Sequence, residues 1–429
     1  MDMVMSLVIF GSCYVMLVLE KWNRALIAGA GGLLMILGGI YTLDDAFGKY
    51  IDWNTISLLF SMMILVAVTS KTGVFEYIAI TLAQKVGGRA IPLLVVMALL
   101  TAVGSALLDN VTTVLLFAPV LLTMTARLGL PSTPYLIVLI LASNIGGTAT
   151  LIGDPPNIMI GQAVEDLTFN DFLLNLGPIV VIIFGSVMLA LIGFYRKQLK
   201  VTEAKRIELM NIQAAEYLRK DMTLFQSLFV LCCTIAGFVL HPVLHIELTS
   251  IAMAGALLLM LLTYRNIEVE DILRDVEWVT LFFFMGLFML VGGLESTGII
   301  DEIARSIILQ TEGDVAKTSL FILWSSGLLS GFVDNIPFVA AMIPVVLEFK
   351  DYGMNNLDPL WWALALGACL GGNATLIGAS ANVVVAGLAA GAKQPIKFVE
   401  FFVIGLPVVI FSLILSTVYL YIRYLIYFI

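Results

Sequence analysis

The chain is written in long apolar runs separated by short polar clusters. Met3–Leu19, Ala25–Ile40, Thr55–Val68, Ile91–Leu108, Val111–Ala126, Tyr135–Ile152 and Pro178–Phe194 follow one another in the first half, and comparable runs fill the second. Each is about the length a helix needs to cross ~30 Å of hydrocarbon. The pattern predicts an all-α polytopic membrane protein. The first run lacks a basic leader and a small-residue cleavage site, so it reads as a retained span rather than a signal peptide.

Two interruptions share one wording. "GGTATLIGDPPN" covers Gly146–Asn157 and "GGNATLIGASAN" covers Gly371–Asn382, 225 residues later. The same offset relates Trp53 to Trp278, Asp109-Asn110 to Asp334-Asn335, and Pro119 to Pro344. Pairs held at one offset over so long a stretch indicate an internal duplication. The expected organisation is a first repeat over 1–195, a basic linker over 196–221 and a second repeat over 222–429.

Each repeat reads as five transmembrane helices plus one re-entrant helical hairpin, and one of the five is broken. The hairpins are placed at about 90–127 and 316–349, with "LDNVTT" and "VDNIPF" at their tips, and the broken helices at about 134–165 and 359–386. Gly146-Gly147, Gly153 and Pro155-Pro156 are costly in a regular helix, and the backbone groups they free must be buried in protein or line a cavity.

Charge adds orientation. With both termini external, 17 of the 22 Lys and Arg residues fall on the cytoplasmic side, including the seven of the linker, which reads as a solvated helix. An odd number of spans per repeat then sets the copies in opposite orientations, the inverted-repeat plan of secondary transporters. Composition agrees: the chain is 60% hydrophobic and 12% charged, against roughly a quarter charged in soluble domains. The net charge of −9 is spread over loops and points to no nucleic-acid partner. The four cysteines read as core thiols, and His241 and His245 as interfacial packing in an external loop beside Pro242.

Candidate chemistry concentrates at the interruptions. Asp109, Asp154 and Asp334 lie deep in apolar runs, where an ionisable group usually marks an ion or substrate pathway. No Lys or Arg is expected at the same depth, so these acids must be protonated, bind a cation or accept hydrogen bonds from helix ends. They are the expected proton- or cation-coupling groups. The expected solute contacts are Asn110, Thr112 and Thr113 at one tip and Asn335 at the other. Gly146, Gly147, Thr148 and Asn157 add to them from the first break, and Gly371, Gly372, Asn373, Thr375 and Asn382 from the second. No cofactor and no resident metal are expected.

The paired "DN" tips and the two glycine phrases resemble the ion transporter superfamily, and within it the branch of arsenite permeases, pink-eyed-dilution protein and sodium/proton antiporters. The resemblance covers nearly the whole chain. It implies an elevator-like carrier with the solute held between hairpin tips and broken helices. The leading expectation is proton-coupled efflux of arsenite or antimonite across a bacterial inner membrane. Trivalent arsenic hydroxide is a neutral, polyol-like solute suited to amides and hydroxyls. A Na⁺/H⁺ antiporter is the alternative; a channel and an intramembrane aspartyl protease are distant ones. The superfamily implies a homodimer, although no interface is legible, and an arsenical ATPase subunit is left open.

Overall fold

The apolar runs fold as helices, and the polar clusters between them set where each helix starts and stops. A computed structural model describes residues 1–19, 21–164, 166–197 and 199–428. The first half contains α1 (Asp2–Leu19), α2 (Arg24–Leu37), a single turn α3 (Leu43–Asp45), α4 (Trp53–Ser70) and α5 (Val74–Lys85). It continues with α6 (Ala90–Leu107), α7 (Asn110–Leu128), α8 (Ser132–Gly147), α9 (Pro155–Ala163) and α10 (Phe169–Tyr195). A short α11 (Glu203–Met210) lies in the linker. The second half contains α12 (Met222–Leu244), α13 (Leu248–Thr263), a short α14 (Val269–Arg274), α15 (Trp278–Ser296) and α16 (Ile299–Thr311). It closes with α17 (Val315–Val333), α18 (Asn335–Glu348), α19 (Asp358–Gly371), α20 (Ser380–Gly391) and α21 (Phe398–Arg423).

Local chemistry explains the boundaries. The Asp52 carboxylate accepts from the amides of Asn54 and Thr55 at the start of α4. Thr168 and Asp171 form a reciprocal capping box at the start of α10. Pro155 opens α9, where its missing N–H is no loss. Among the described residues nine helices are long and apolar enough to cross a membrane: α1, α4, α6, α7, α10, α12, α15, α17 and α21. The chain is an all-α, multi-pass membrane protein. The hairpin arms α6 and α7, of 18 and 19 residues, belong to that set by length and composition.

Packing divides the helices into two bodies. In one, α2 lies along α15 and α13 along α4, with α1 and α12 beside them. In the other, α6 packs on α8 and α17 on α19, joined by α7, α9, α10, α18, α20 and α21. The pairings are reciprocal between the halves: α7 meets α20 while α18 meets α9, and α8 meets α20 while α19 meets α9.

Three expectations are corrected. Cys232 and Cys233 are exposed rather than core thiols, because they lie on an outward stripe of α12. His241 and Pro242 lie inside α12 and His245 caps it, so no loop begins at Pro242. The linker is not wholly solvated: α11 packs on α7, and Arg206 Nε donates to the Gly87 carbonyl at 2.8 Å.

Candidate functional site

Both glycine phrases break their helices. α8 ends at Gly147 and α9 begins at Pro155; α19 ends at Gly371 and α20 begins at Ser380. Each break is stapled by one asparagine. Asn157 Nδ2 donates to the carbonyls of Thr148 and Thr150 at 3.2 and 2.9 Å, and Asn382 Nδ2 donates to those of Gly372 and Thr375 at 2.7 and 2.8 Å. These bonds satisfy carbonyls that an interrupted helix leaves without partners. The glycines permit close approach: a side chain at Gly146 would overlap the Ala102 backbone of α6, and one at Gly371 the Gly327 backbone of α17.

The hydroxyls around the breaks are turned to backbone carbonyls. Thr148 Oγ1 donates to Asn144 O, Thr150 Oγ1 to Ala106 O, and Thr375 Oγ1 to Gly331 O. Thr150 and Thr375 thereby join break to hairpin arm, whereas Thr148 bonds back to its own helix α8. Thr113 lies against Gly104 within its hairpin, its hydroxyl unpartnered.

At the centre is a chain of buried amides drawn from both halves. Asn110 Nδ2, at the start of α7, donates to Asn144 Oδ1 at 3.2 Å. Asn144 Nδ2, in α8, donates to Asn373 Oδ1 at 3.0 Å and to Asn382 Oδ1 at 2.8 Å. One oxygen and one amide nitrogen on either side of Asn144 remain unpaired: Asn110 Oδ1 and Asn373 Nδ2. Asn144, the hub, was not among the residues expected from sequence. Its signal was available: it is a lone amide in an apolar run, two residues before Gly146. The residue at its offset position is Cys369, whose thiol donates to Asn157 Oδ1 at 3.4 Å.

The three acids have separate surroundings. Asp109 caps α7, accepting from the Thr112 amide at 2.7 Å and the Thr112 hydroxyl at 2.5 Å. Thr112 is thus engaged in the cap. Asp154 is fully buried, and Asn335 Nδ2 from the opposite hairpin donates to its two oxygens at 3.3 and 3.4 Å. Asp334 caps α18 through the Ile336 amide at 3.1 Å and accepts from Ser380 Oγ at 3.2 Å.

Asp334 also corrects an expectation, since a cation does reach it. Arg24 Nη1 lies 3.8 Å from Asp334 Oδ2 and donates to Ser380 Oγ, while its other nitrogen donates to Thr280 Oγ1 at 3.1 Å. Arg24 opens α2 and its guanidinium stacks over Phe283 at 5.2 Å. Placed by sequence at a membrane boundary, it reaches inward because α2 lies along α15 and long side chains extend well beyond their own Cα. A cavity of about 320 Å³ beside it is lined by Asn23, Arg24, Asp334 and Ser380 on its polar side.

Comparison with known proteins places this architecture. The family model described as citrate transporter matches residues 14–367. An uncharacterized transporter of Mycobacterium tuberculosis is 42% identical over 98% of both chains. The 46 kDa membrane protein of Mycobacterium leprae is 40% identical over 99% of both. The P protein of Mus musculus is 34% identical over 98% of this chain and 60% of its own longer one. Among solved structures, the YdaH transporter of Alcanivorax borkumensis, described as having an unusual topology, matches with TM-score 0.61 at 14% identity, covering 97% of this chain and 98% of that one. That likeness concerns the fold. The expected relationship to pink-eyed-dilution-type proteins is met by the P protein match, and the chain belongs to the citrate transporter family of membrane transporters.

Proposed function

We propose that this chain is a secondary active transporter that moves a small uncharged, hydroxylated solute, and that its coupling cation is a proton taken up at the buried acids. One observation carries the reading. The amide chain around Asn144 keeps one unpaired acceptor, Asn110 Oδ1, and one unpaired donor, Asn373 Nδ2. A hydroxyl can satisfy both kinds of group. Among the described residues no Lys or Arg hydrogen-bonds this chain of amides, so nothing in it favours an anion. Leaving such groups unpaired inside a protein costs about 1–3 kcal/mol each, which a matching solute recovers.

Trivalent arsenic hydroxide, or its antimony counterpart, fits that description at neutral pH, and efflux from the cytoplasm is the direction proposed. Asp154 is the foremost coupling residue, being buried and bonded only by neutral donors. The reciprocal packing of α7 on α20 and α18 on α9 supports two inverted repeats moving as an elevator. The membrane is proposed to be a bacterial inner membrane with both termini external, and the working unit a homodimer. Sodium in place of the proton would make the chain an antiporter with the same acids as ligands.

A second reading is favoured by Arg24. With Ser380 and the adjoining cavity it offers a positive site for a carboxylate, in keeping with the family's description. Everted vesicles separate these readings when arsenite, sodium and citrate are supplied in turn. The first predicts proton movement that answers to arsenite. Proton movement that answers to sodium but not arsenite would overturn it, and citrate accumulation would establish the second.

A further inference from the structure

The two helical bodies touch sparingly, through α1 on α17, α15 on α18, α4 on α7 and α9, and α10 on α12. Among the described residues, Arg24–Asp334 is the ion pair that joins them. The others hold each body or its loops together: Lys49–Glu295, Lys71–Asp275, Arg219–Asp221, Arg274–Asp271 and Lys317–Glu312. A second bond crosses at the same place. Tyr14 Oη, from α1, donates to the Pro337 carbonyl at 2.6 Å. Tyr14 grips the first turn of α18, and Arg24 the turn between α17 and α18 beside it.

That turn is conformationally tense. Asp334 has φ 74° and ψ 137°, a region costly for a residue with a side chain and held only where surroundings over-determine it. Its surroundings are the Ile336 amide, Ser380 and Arg24. Arg24 is anchored independently on its own body. Its second nitrogen donates to Thr280 Oγ1, which donates in turn to Glu277 Oε2 at 3.0 Å. Release of Asp334 would therefore leave the guanidinium where it is.

We propose that Tyr14 and Arg24 form a one-sided clasp that holds the second hairpin turn against the α2–α15 body in one of two transport positions. They are positioning residues for transport and do not contact the solute at the amide chain. Among the described residues the other half shows no equivalent ion pair. Thr249, at the offset position of Arg24, donates within its own body to the Asn54 carbonyl at 3.3 Å, and Asp109 is bonded to Thr112 in its own helix. The clasp thus biases the resting position toward the side on which α2 begins. It rests on the reading that the two bodies move relative to one another.

The test reads position without any solute, so it is independent of which solute is carried. Val383 lines the cavity beside Arg24. With the exposed Cys232 and Cys233 changed to serine, a single V383C is labelled by a membrane-impermeant maleimide in vesicles of both orientations. The clasp predicts labelling from the side on which α2 begins. R24Q and D334N should lower that rate about threefold to tenfold, as expected for a shifted two-state population. R24K should fall between, and Y14F, which keeps the ring stacked on Phe10, should lower it about twofold. If R24Q does not reach the membrane, D334N, R24K and Y14F decide. Labelling at the parent rate in every recovered clasp variant overturns the proposal.

Discussion

Asn335 at the tip of the second hairpin donates its side-chain amide to both oxygens of Asp154 in the break of the first half, 181 residues away. The equivalent bond from the first hairpin cannot form, because Ala379 stands at the position of Asp154, and Asn110 turns instead to Asn144. The two halves therefore share a scaffold and differ in chemistry: the second hairpin's asparagine crosses to an acid of the first half, and the first hairpin's stays on an amide of its own half.

Asp154 carries the coupling reaction in this reading. D154N preserves shape and one acceptor oxygen for Asn335 but removes the titratable group. Arsenite-driven proton movement in vesicles should fall at least about tenfold, with the amount of inserted protein unchanged. Full flux in D154N would remove Asp154 from the mechanism.

Asp109 distinguishes cap from ligand. D109N can still accept from the Thr112 amide and keep the α7 cap, whereas D109A cannot and should cost about 0.5–2 kcal/mol of stability. Transport lost in both variants, with stability lost only in D109A, assigns the carboxylate a role in coupling. Transport retained in D109N makes it a cap and nothing more. Thermal unfolding in detergent beside vesicle flux reads both quantities.

Asn144 holds three amides at once. N144A strands partners on Asn110, Asn373 and Asn382, each at about 1–3 kcal/mol. The melting temperature should drop by several degrees and solute binding should weaken. An unchanged melting temperature would show that the amides repartner without their hub.

Gly146 and Gly371 set helix spacing. G146A or G371A places a methyl group against the backbone of α6 or α17 and should prevent recovery of folded protein. Gly11→Ala, where the added group meets nothing, is the matched control and should behave as the parent.

Glu277 gives a pH signature. Burial pushes its carboxyl above the usual range, the Asp109 carboxylate adds to this, and Thr280 and Arg24 oppose it. A carboxyl with its folded pKa above the unfolded value favours the folded state at low pH and costs stability as pH rises through that folded pKa. E277Q, neutral at every pH, should therefore raise the melting temperature near about pH 8 and leave it little changed near about pH 4. The same increment at both values would refute this account.

Several features were legible without coordinates because their causes are local. Apolar runs of spanning length must be helical to satisfy their own backbone in lipid. Clustered glycines weaken a helix and Pro155-Pro156 adds to this in the first copy, so the breaks within 146–157 and 371–382 were readable from residue type, whereas Gly31-Gly32 and Gly292-Gly293 stay helical inside α2 and α15. Hydrogen bonds from helix ends were one of three options open to the buried acids, and Asp109 and Asp334 do cap the helices that follow them. The positive charge at Asp334 was not legible. Arg24 stands 310 positions away at the end of an apolar run, where it looks like any boundary residue.

What the sequence by itself determined is the helical membrane class, the doubled phrase, the breaks and the residue types within reach of them. Only the tertiary structure decided which partners those residues take. It made Asn144 the hub, turned Asn157 and Asn382 into staples, and brought Tyr14 and Arg24 to the second hairpin turn. The reason is physical. Backbone preferences act over a few residues, whereas a buried side-chain group takes whichever partner helix packing delivers, and here the bond from Asn144 to Asn373 spans 229 positions of chain.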